Sequence, residues 1–141
     1  MIVALLSFLL TITIFAVHYK RTIFMKIAVP TRDGAVDNHF GHCAYYTIYE
    51  VVNGEVSQKM TMASPQGCGC KSNIASVFRE MGVRLLLGGS MGQGAKNVLE
   101  SNGTEVIRGC SGDVDQLISD YLAGKVKDSG EGCHSHHDCQ G

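Results

Sequence analysis

The dipeptide Asn53–Gly54 constrains the fold most, because it separates two strand-forming runs by a two-residue turn. Residues 44–52 are aromatic and β-branched, and residues 56–64 return with further valine, methionine and threonine side chains. Asn-Gly accepts the positive φ angles of a type I′ turn, whose twist matches that of an antiparallel hairpin. The sequence therefore predicts that these two strands pair antiparallel.

The spacing of apolar residues then changes to the period of a helix. Ser72 or Asn73 is expected to cap the start of this helix, and Gly82 to end it. The apolar residues at helical spacing are Ile74, Val77, Phe78 and Met81. Residues 83–89 follow as a short, almost wholly apolar run, which is typical of a strand buried on both faces of a parallel sheet.

The remaining elements alternate between helix and strand. A helix is predicted from Ser90, its expected cap, to Gly103, and a last strand over residues 104–109. A last helix follows over residues 111–125, with an inner face formed by Val114, Leu117, Ile118 and Tyr121 or Leu122. With a first strand at residues 25–31, the order β-β-β-α-β-α-β-α predicts an α/β fold with a mixed five-stranded sheet flanked by helices.

The leader, residues 1–24, is apolar or hydroxylic until Lys20 and Arg21 near its end. A cleaved signal peptide is disfavoured, because the basic residues follow the apolar run and no A-x-A cleavage site is present. Two alternatives stay open: a membrane anchor that leaves the following domain on the cytoplasmic side, and a start site assigned too early, with Met25 as the natural beginning. Both place residues 25–125, the predicted domain, in a reducing cytoplasm.

Net charge and cysteine content limit the classes of function that the chain can have. The formal net charge of -1 argues against a nucleic-acid-binding protein that relies on bulk electrostatics. The chain has 6 cysteines, which in a secreted domain would indicate disulfides. In the cytoplasm, cysteine next to histidine indicates metal or redox chemistry instead.

The loop over residues 32–43 carries His39, His42 and Cys43 just after the first predicted strand. Loops at the ends of buried strands are where binding groups collect in open α/β sheets, and imidazole and thiolate both suit iron, copper and zinc. The glycine and asparagine residues around these side chains argue against helical ligand geometry. The alternative is a polar loop whose histidines bond the backbone.

A C-x-C pair, Cys68 and Cys70, lies just before the first predicted helix. Helix N-terminal amides and Lys71 would favour thiolate over thiol, and such a pair can chelate a soft metal or a sulfide-bridged cluster. The alternative is a glycine-rich connection with incidental thiols.

The glycine-rich loop over residues 88–96, with Gly89 and Ser90 at its start, offers free amides and a helix N-terminus to an anion. Its spacing matches neither a P-loop nor the G-x-G-x-x-G fingerprint. The amides would suit an anionic metal–sulfur cluster. The alternative is that the glycines serve turns and close helix–sheet packing.

The tail, residues 126–141, has no apolar period and is predicted to be flexible without a ligand. Its potential metal ligands are Cys133, His134, His136, His137 and Cys139. They could hand metal to a partner or cover a bound cluster. The alternative is a segment that scavenges metal without specificity.

Residues 25–125 resemble the dinitrogenase iron-molybdenum cofactor biosynthesis family, of the NifX type that also forms the end of NifB. The resemblance rests on "MKIAVPT", on a D-x-H-F-G string at Asp37, His39, Phe40 and Gly41, and on "LLLGGSMGQGAKNVLESNG". It implies a ribonuclease H-like fold without nuclease activity, which binds iron–sulfur or molybdenum-containing clusters and stores them or passes them on. It also implies that His39 helps to hold the cluster.

These observations predict a cytoplasmic, non-catalytic carrier of an iron–sulfur, molybdenum–iron–sulfur or molybdenum–copper cluster. We expect a monomer or weak dimer whose partner is a cluster donor or acceptor protein. One alternative is a metal-ion buffer or metallochaperone that binds Zn, Ni or Cu through the tail, and another is a membrane-tethered interaction module. A ribonuclease is the least favoured enzyme, because Glu50 and Glu105 are almost the only acidic residues on the predicted strands.

Overall fold

The computed structural model of the protein describes residues 21–65 and 73–130. These two ranges form a mixed sheet of six strands with three α-helices. The strands are β1 Phe24–Arg32, β2 Ala35–Val36, β3 Tyr45–Val52, β4 Glu55–Ala63, β5 Val83–Leu87 and β6 Glu105–Ile107. The helices are α1 Ile74–Met81, α2 Gln93–Ser101 and α3 Val114–Leu122. The predicted α/β fold is confirmed, with the two-residue β2 added to the five predicted strands.

The sheet has the strand order β4-β3-β1-β5-β6, and β2 pairs with β1. Strands β3 and β4 pair antiparallel, and Asn53 and Gly54 between them have φ angles of 51° and 83°, which confirms the predicted hairpin. Strand β5 lies between β1 and β6 and is parallel to both. Its apolar run therefore lies inside the sheet, as predicted.

One edge of β1 changes neighbour part-way along the strand. Lys26 to Ala28 pair with β5, whereas Thr31 and Arg32 pair with β2. Pro30 lies in the gap, where its carbonyl oxygen accepts a hydrogen bond from the backbone N–H of Asp37 at 2.8 Å. Since proline has no N–H, it leaves no unpaired donor there. This change of neighbour lies near the carboxyl ends of β1 and β5, the edge where ligands bind in open α/β sheets.

The core lies on both faces of the sheet. Ala28 of β1 packs on the face covered by α1 and α2, whereas its neighbours Ile27 and Val29 pack on the face covered by α3. This alternation follows from the two-residue period of a strand. The predicted inner face of α3 is confirmed: Val114, Leu117 and Ile118 are buried, and Tyr121 and Leu122 pack beside them.

The helix ends match the sequence in part. Gly82 ends α1 in the left-handed conformation, at φ 78°, as predicted. Asn73 occupies the N-cap position, but its side chain makes no capping hydrogen bond. The predicted cap at Ser90 was wrong, because α2 starts after Gly92. Gly88 instead bonds Ile107 and Cys110 through its backbone, which continues the β5–β6 pairing, and a bend at Gly89 and Ser90 precedes the helix.

Two expectations concern the rest of the chain. Within the described ranges, no helix has the length and apolar content needed to span a membrane. Residues 1–20, most of the predicted leader, lie outside those ranges, as does Ser72. The ribonuclease H-like designation stays a prediction.

Candidate functional site

Asp37 organises the loop that follows β2. Its side chain is 4% exposed, and one oxygen, Oδ2, accepts a hydrogen bond from Arg32 Nε at 2.9 Å. The other oxygen, Oδ1, accepts the backbone N–H of His39, also at 2.9 Å. Burial alone would raise the pKa of Asp37, but these hydrogen bonds and the Arg32 charge outweigh it and lower the pKa below its ordinary value. The loop is therefore built on a buried carboxylate.

The imidazole of His39 lies beside the same carboxylate. Its Nδ1 is 3.3 Å from Asp37 Oδ1, while the side chain is 77% exposed. A carboxylate can only accept, so the tautomer with a proton on Nδ1 donates to Asp37 and leaves the Nε2 lone pair free. Histidines that bind metal commonly donate their other ring N–H to a carboxylate. This arrangement leaves Nε2 of His39 available to a metal ion.

A single 3-10 turn at Phe40–His42 follows His39, where no helical turn was expected. The backbone N–H of His42 donates to the His39 carbonyl at 2.9 Å, and the Tyr46 hydroxyl donates to the Phe40 carbonyl at 2.9 Å. Phe40 is buried against the ring of Tyr46, and Arg32 Nη2 donates to the His42 carbonyl at 3.0 Å. The buried aromatic pair and the arginine fix this turn, which we call the His39 turn (residues 37–42).

The three predicted ligands of this loop are placed differently. His39 and His42 are exposed on the His39 turn, whereas Cys43 is buried in the core with its Sγ 3.6 Å from Ser64 Oγ. Among the residues that the structure describes, no group of three or more His, Cys, Asp or Glu side chains could hold a metal ion. A metal ion held by His39 would therefore need ligands from outside the described set.

The loop after β5 lies directly against the His39 turn. A Cβ on Gly89 would lie 3.0 Å from the Cα of Asn38 and closer still to its side chain, so only glycine permits this approach. The backbone N–H groups of residues 89–92 donate to no group in the described parts of the chain. Ser90 is exposed, and α2 begins at Gln93. Unpaired amides and a helix N-terminus, which attract anions, thus lie next to the His39 turn.

An open groove of about 490 Å³ borders this region. Its lining residues are Arg32, Asp33, Ala35, Val36, Asp37, Asn38 and His39. The volume falls in the range of small-ligand sites, roughly 300–1,000 Å³. The groove gives a bound group access to His39 from solvent.

An ion-pair cluster that the sequence did not indicate joins the start of the tail to the sheet. Asp128 Oδ1 accepts the backbone N–H of Arg108 at 2.7 Å, and Oδ2 lies 3.0 Å from Lys96 Nζ. Arg108 is 6% exposed, and its Nε lies 3.4 Å from Asp128. Burial would raise the pKa of Asp128, but the bonds from Arg108 and Lys96 outweigh it and hold the pKa far below its ordinary value. Residues 126–130 are thus fixed to the sheet by a carboxylate.

The other candidate ligands lie outside the described residues. They are Cys68, Cys70, Cys133, His134, His136, His137 and Cys139. Their roles stay predictions.

The model of one family, "Dinitrogenase iron-molybdenum cofactor", matches residues 24–124, which include β1 to α3 and every described site residue. The chain belongs to this family. The match confirms the resemblance drawn from the D-x-H-F-G string. The chain is also similar to proteins of known sequence and to solved structures.

An uncharacterized protein of Methanocaldococcus jannaschii is 31% identical over 108 residues, which cover 73% of this chain and 90% of the relative. The apo form of the orange protein from Desulfovibrio gigas superposes with a TM-score of 0.60 at 25% identity, over 76% of this chain and 94% of that chain. A candidate dinitrogenase from Methanocaldococcus jannaschii superposes with a TM-score of 0.62 at 21% identity. The superposition covers 77% of this chain and 98% of that chain. This last likeness bears on the fold alone.

Proposed function

We propose that this protein binds a metal–sulfur cluster at the carboxyl edge of its sheet and carries it to or from a partner protein. One observation carries the proposal: the buried Asp37 lies 3.3 Å from Nδ1 of the exposed His39 imidazole, which leaves Nε2 available as a ligand beside the groove that His39 lines. A histidine that served only the loop's own structure would not need an exposed ring with one nitrogen free.

The charges around His39 suit an anionic cargo. Clusters built on sulfide carry negative charge, and the amides of residues 89–92 together with the N-terminus of α2 supply partial positive charge. Arg32 lies at the groove with its side chain 56% exposed, and its guanidinium balances the charge of the Asp37 carboxylate there. The amides and the helix N-terminus compensate the charge of a cluster without supplying further metal ligands.

Family membership supports the same class of cargo. The description of the family names the iron-molybdenum cofactor of dinitrogenase. The Desulfovibrio gigas relative was solved in an apo form, which implies a form with a bound group. A role in the biosynthesis or binding of that cofactor follows for the family. For this chain we infer an iron–sulfur or molybdenum-containing cluster, handled without catalysis in the cytoplasm and exchanged with a donor or acceptor protein.

His39 cannot hold a cluster alone. His42 lies on the same exposed turn and is the nearest second imidazole in sequence. Cys43 is assigned to the core, because its thiol is buried beneath the turn. Since the described residues hold no set of three ligands, we assign the remaining coordination to Cys68, Cys70 or the ligands of the tail.

The test is anaerobic reconstitution of the full chain with iron and sulfide, and separately with tetrathiomolybdate. Metal, acid-labile sulfide and visible absorption are measured for the native chain, for His39→Ala, and for Glu55→Ala at the opposite end of the sheet as a matched control. We expect a charge-transfer band in the native chain and Glu55→Ala, and at least tenfold weaker cluster binding in His39→Ala.

Equal binding by a folded His39→Ala variant would remove His39 from the site. Zinc bound without sulfide, and lost when the five tail ligands are replaced by alanine, would favour the metal-ion buffer instead. Circular dichroism of each variant separates loss of binding from loss of fold.

A further inference from the structure

Strand β4 forms one edge of the sheet and carries a methionine on either side of Thr61. We propose that two copies of the protein associate through this edge. Residues 58–63 of β4 pair antiparallel with the same residues of the second copy, about a two-fold axis at Thr61. The proposal concerns a surface away from the His39 turn and does not depend on the cargo.

The outer edge of β4 is open in the part of the chain that the structure describes. There, β4 is the last strand on its side of the sheet, and no backbone hydrogen bond to a loop or turn involves residues 55–63. The other edge differs, because just after β6 the backbone N–H and carbonyl of Arg108 bond Asp128 and Ser129. An open edge presents unpaired N–H and C=O groups that can pair with another strand.

A β-bulge protects only the hairpin end of β4. Glu50 of β3 pairs with Gln58, whereas Val51 pairs with Val56, so Ser57 is the extra residue of the bulge. Bulges of this kind twist an edge strand away from further pairing. Beyond the bulge, residues 58–63 pair with β3 in regular register and can accept a second strand on their other side.

Lys59 is the residue expected to protect the remainder of the edge, since lysines on edge strands commonly discourage pairing. Its Nζ instead bonds both carboxylate oxygens of Asp115 on α3, at 2.8 Å and 2.9 Å. The same Nζ lies 5.7 Å from the centre of the Tyr49 ring on β3. The lysine therefore leans inward over the sheet, and its charge is balanced by Asp115.

The sequence of the segment favours a second copy as the partner. About an axis at Thr61, each Met60 lies opposite the other copy's Met62, and the two threonines lie opposite each other. Both methionines are half-buried on the face that α1 and α2 cover, so apolar side chains meet across the interface. An axis at Met60 or Met62 would place the other methionine opposite a polar side chain, Gln58 or Ser64.

Charge favours the same register. An axis at Lys59 would place the two lysines directly opposite each other, and like charges in that position destabilise an antiparallel pair. About Thr61, Lys59 lies opposite Ala63, and no two like charges meet within residues 58–63. The paired segment is short, so the interface lies below the roughly 1,200 Å² that stable complexes bury, and the dimer is weak.

The first test measures association of the full chain by sedimentation equilibrium, at concentrations from micromolar to millimolar. We expect a dimer to form towards the upper end of this range. Thr61→Lys should weaken dimerisation at least tenfold, because it places two lysines opposite each other at an exposed position. Val98→Lys is the matched control: it adds the same charge at an exposed position on α2 and should change the dissociation constant less than twofold.

The second test uses cysteine crosslinking to determine the register. Opposed Cα atoms in an antiparallel pair lie about 4.5–5.5 Å apart, within the range of a disulfide, so Thr61→Cys should crosslink two chains under mild oxidation. Ser57→Cys is the control. Ser57 lies four residues before Thr61, so its two copies are eight residues apart along the strands, or about 26 Å at roughly 3.3 Å per residue.

We expect at least tenfold more crosslinked dimer from Thr61→Cys than from Ser57→Cys. In both tests every sample, the reference included, is the full chain with the cysteines outside the described residues replaced by serine. These are Cys68, Cys70, Cys133 and Cys139.

The proposal is overturned if Thr61→Lys, folded by circular dichroism, associates as strongly as the reference chain, because the contact then lies elsewhere. It is also overturned if the chain stays monomeric at millimolar concentration, or if Ser57→Cys crosslinks as readily as Thr61→Cys. Failure of the chain to take up a sulfide cluster would contradict the proposed function and would leave the association through β4 standing.

Discussion

The Nδ1 of His39 lies 3.3 Å from Oδ1 of Asp37, the same oxygen that accepts the backbone N–H of His39 at 2.9 Å. One carboxylate oxygen therefore sets both the backbone and the ring of this histidine. The buried Asp37 cannot turn away, because Arg32 holds its other oxygen. The orientation of the exposed ring is thus determined from inside the protein.

Asp37→Asn should destabilise the His39 turn. The substitution removes the charge that pairs with Arg32 and leaves a buried amide in place of an acceptor of three hydrogen bonds. We expect the free energy of unfolding to fall by about 1–3 kcal/mol, the usual cost of disrupting a buried, charge-assisted bond. Urea denaturation measures this, with Asp33→Asn, an exposed aspartate of the same loop, as the control. A loss of equal size in both variants would contradict the central role of Asp37.

The same carboxylate should make stability depend on pH in a predictable direction. The pKa of Asp37 is lowered in the folded state, so its contribution to stability is complete above the ordinary aspartate pKa near 4. It is lost as pH falls from there towards the folded pKa. The difference in unfolding free energy between the native chain and Asp37→Asn should therefore be constant from pH 7 to 5 and shrink below pH 4. A difference that stays constant down to pH 3 would show that folding does not lower the pKa of Asp37.

Gly89→Ala should separate the two loops that form the site. The added methyl group meets Asn38, so the loop after β5 must move away from the His39 turn. Overpacking of this kind costs about 1–3 kcal/mol, and we expect weaker cluster uptake as well. Gly94→Ala is the matched control, because nothing lies within 4 Å of the new methyl group and alanine favours the helix by up to about 1 kcal/mol. Equal stability of the two variants in thermal unfolding would argue against the close approach.

Cys43→Ala should lower the stability of the fold and leave cluster uptake nearly unchanged. The thiol is buried beside the Tyr46 ring, so its removal should lower the unfolding free energy by roughly 1 kcal/mol through lost apolar contact. Cluster uptake should stay within twofold of the native chain, in contrast to His39→Ala. A tenfold loss of uptake in a folded Cys43→Ala variant would instead make Cys43 a ligand that moves out of the core.

Local sequence signals predicted the parts of the fold that local chemistry determines. The Asn53–Gly54 hairpin requires positive φ angles, and Gly82 requires a left-handed helix end, so both could be located in advance. Ser90 was misplaced as a helix cap because backbone bonds to residues 107–110 hold Gly88 and Gly89, and the helix begins only after Gly92. No local pattern can reveal pairing of that kind.

The site was predicted in part for the same reason. Histidine and cysteine content located the loop with His39, but the burial of Cys43 depends on packing beneath β3 and was not visible in the sequence. The ion-pair cluster of Asp128 with Arg108 and Lys96 was missed altogether. Asp128 lies 20 residues after Arg108, in a segment whose composition indicated a flexible tail, and only the folded chain brings the two together.

The two ends of the described chain enter and leave the fold on opposite sides. Ile23 exchanges hydrogen bonds with Asn53 at the hairpin end of the sheet, whereas Gly130 follows Ser129, whose N–H donates to Arg108 just after β6. Residue 21 therefore enters the described fold at the end of the sheet opposite His39. A sample immobilised on a surface through its N-terminal side would therefore leave the edge with the His39 turn exposed to solution.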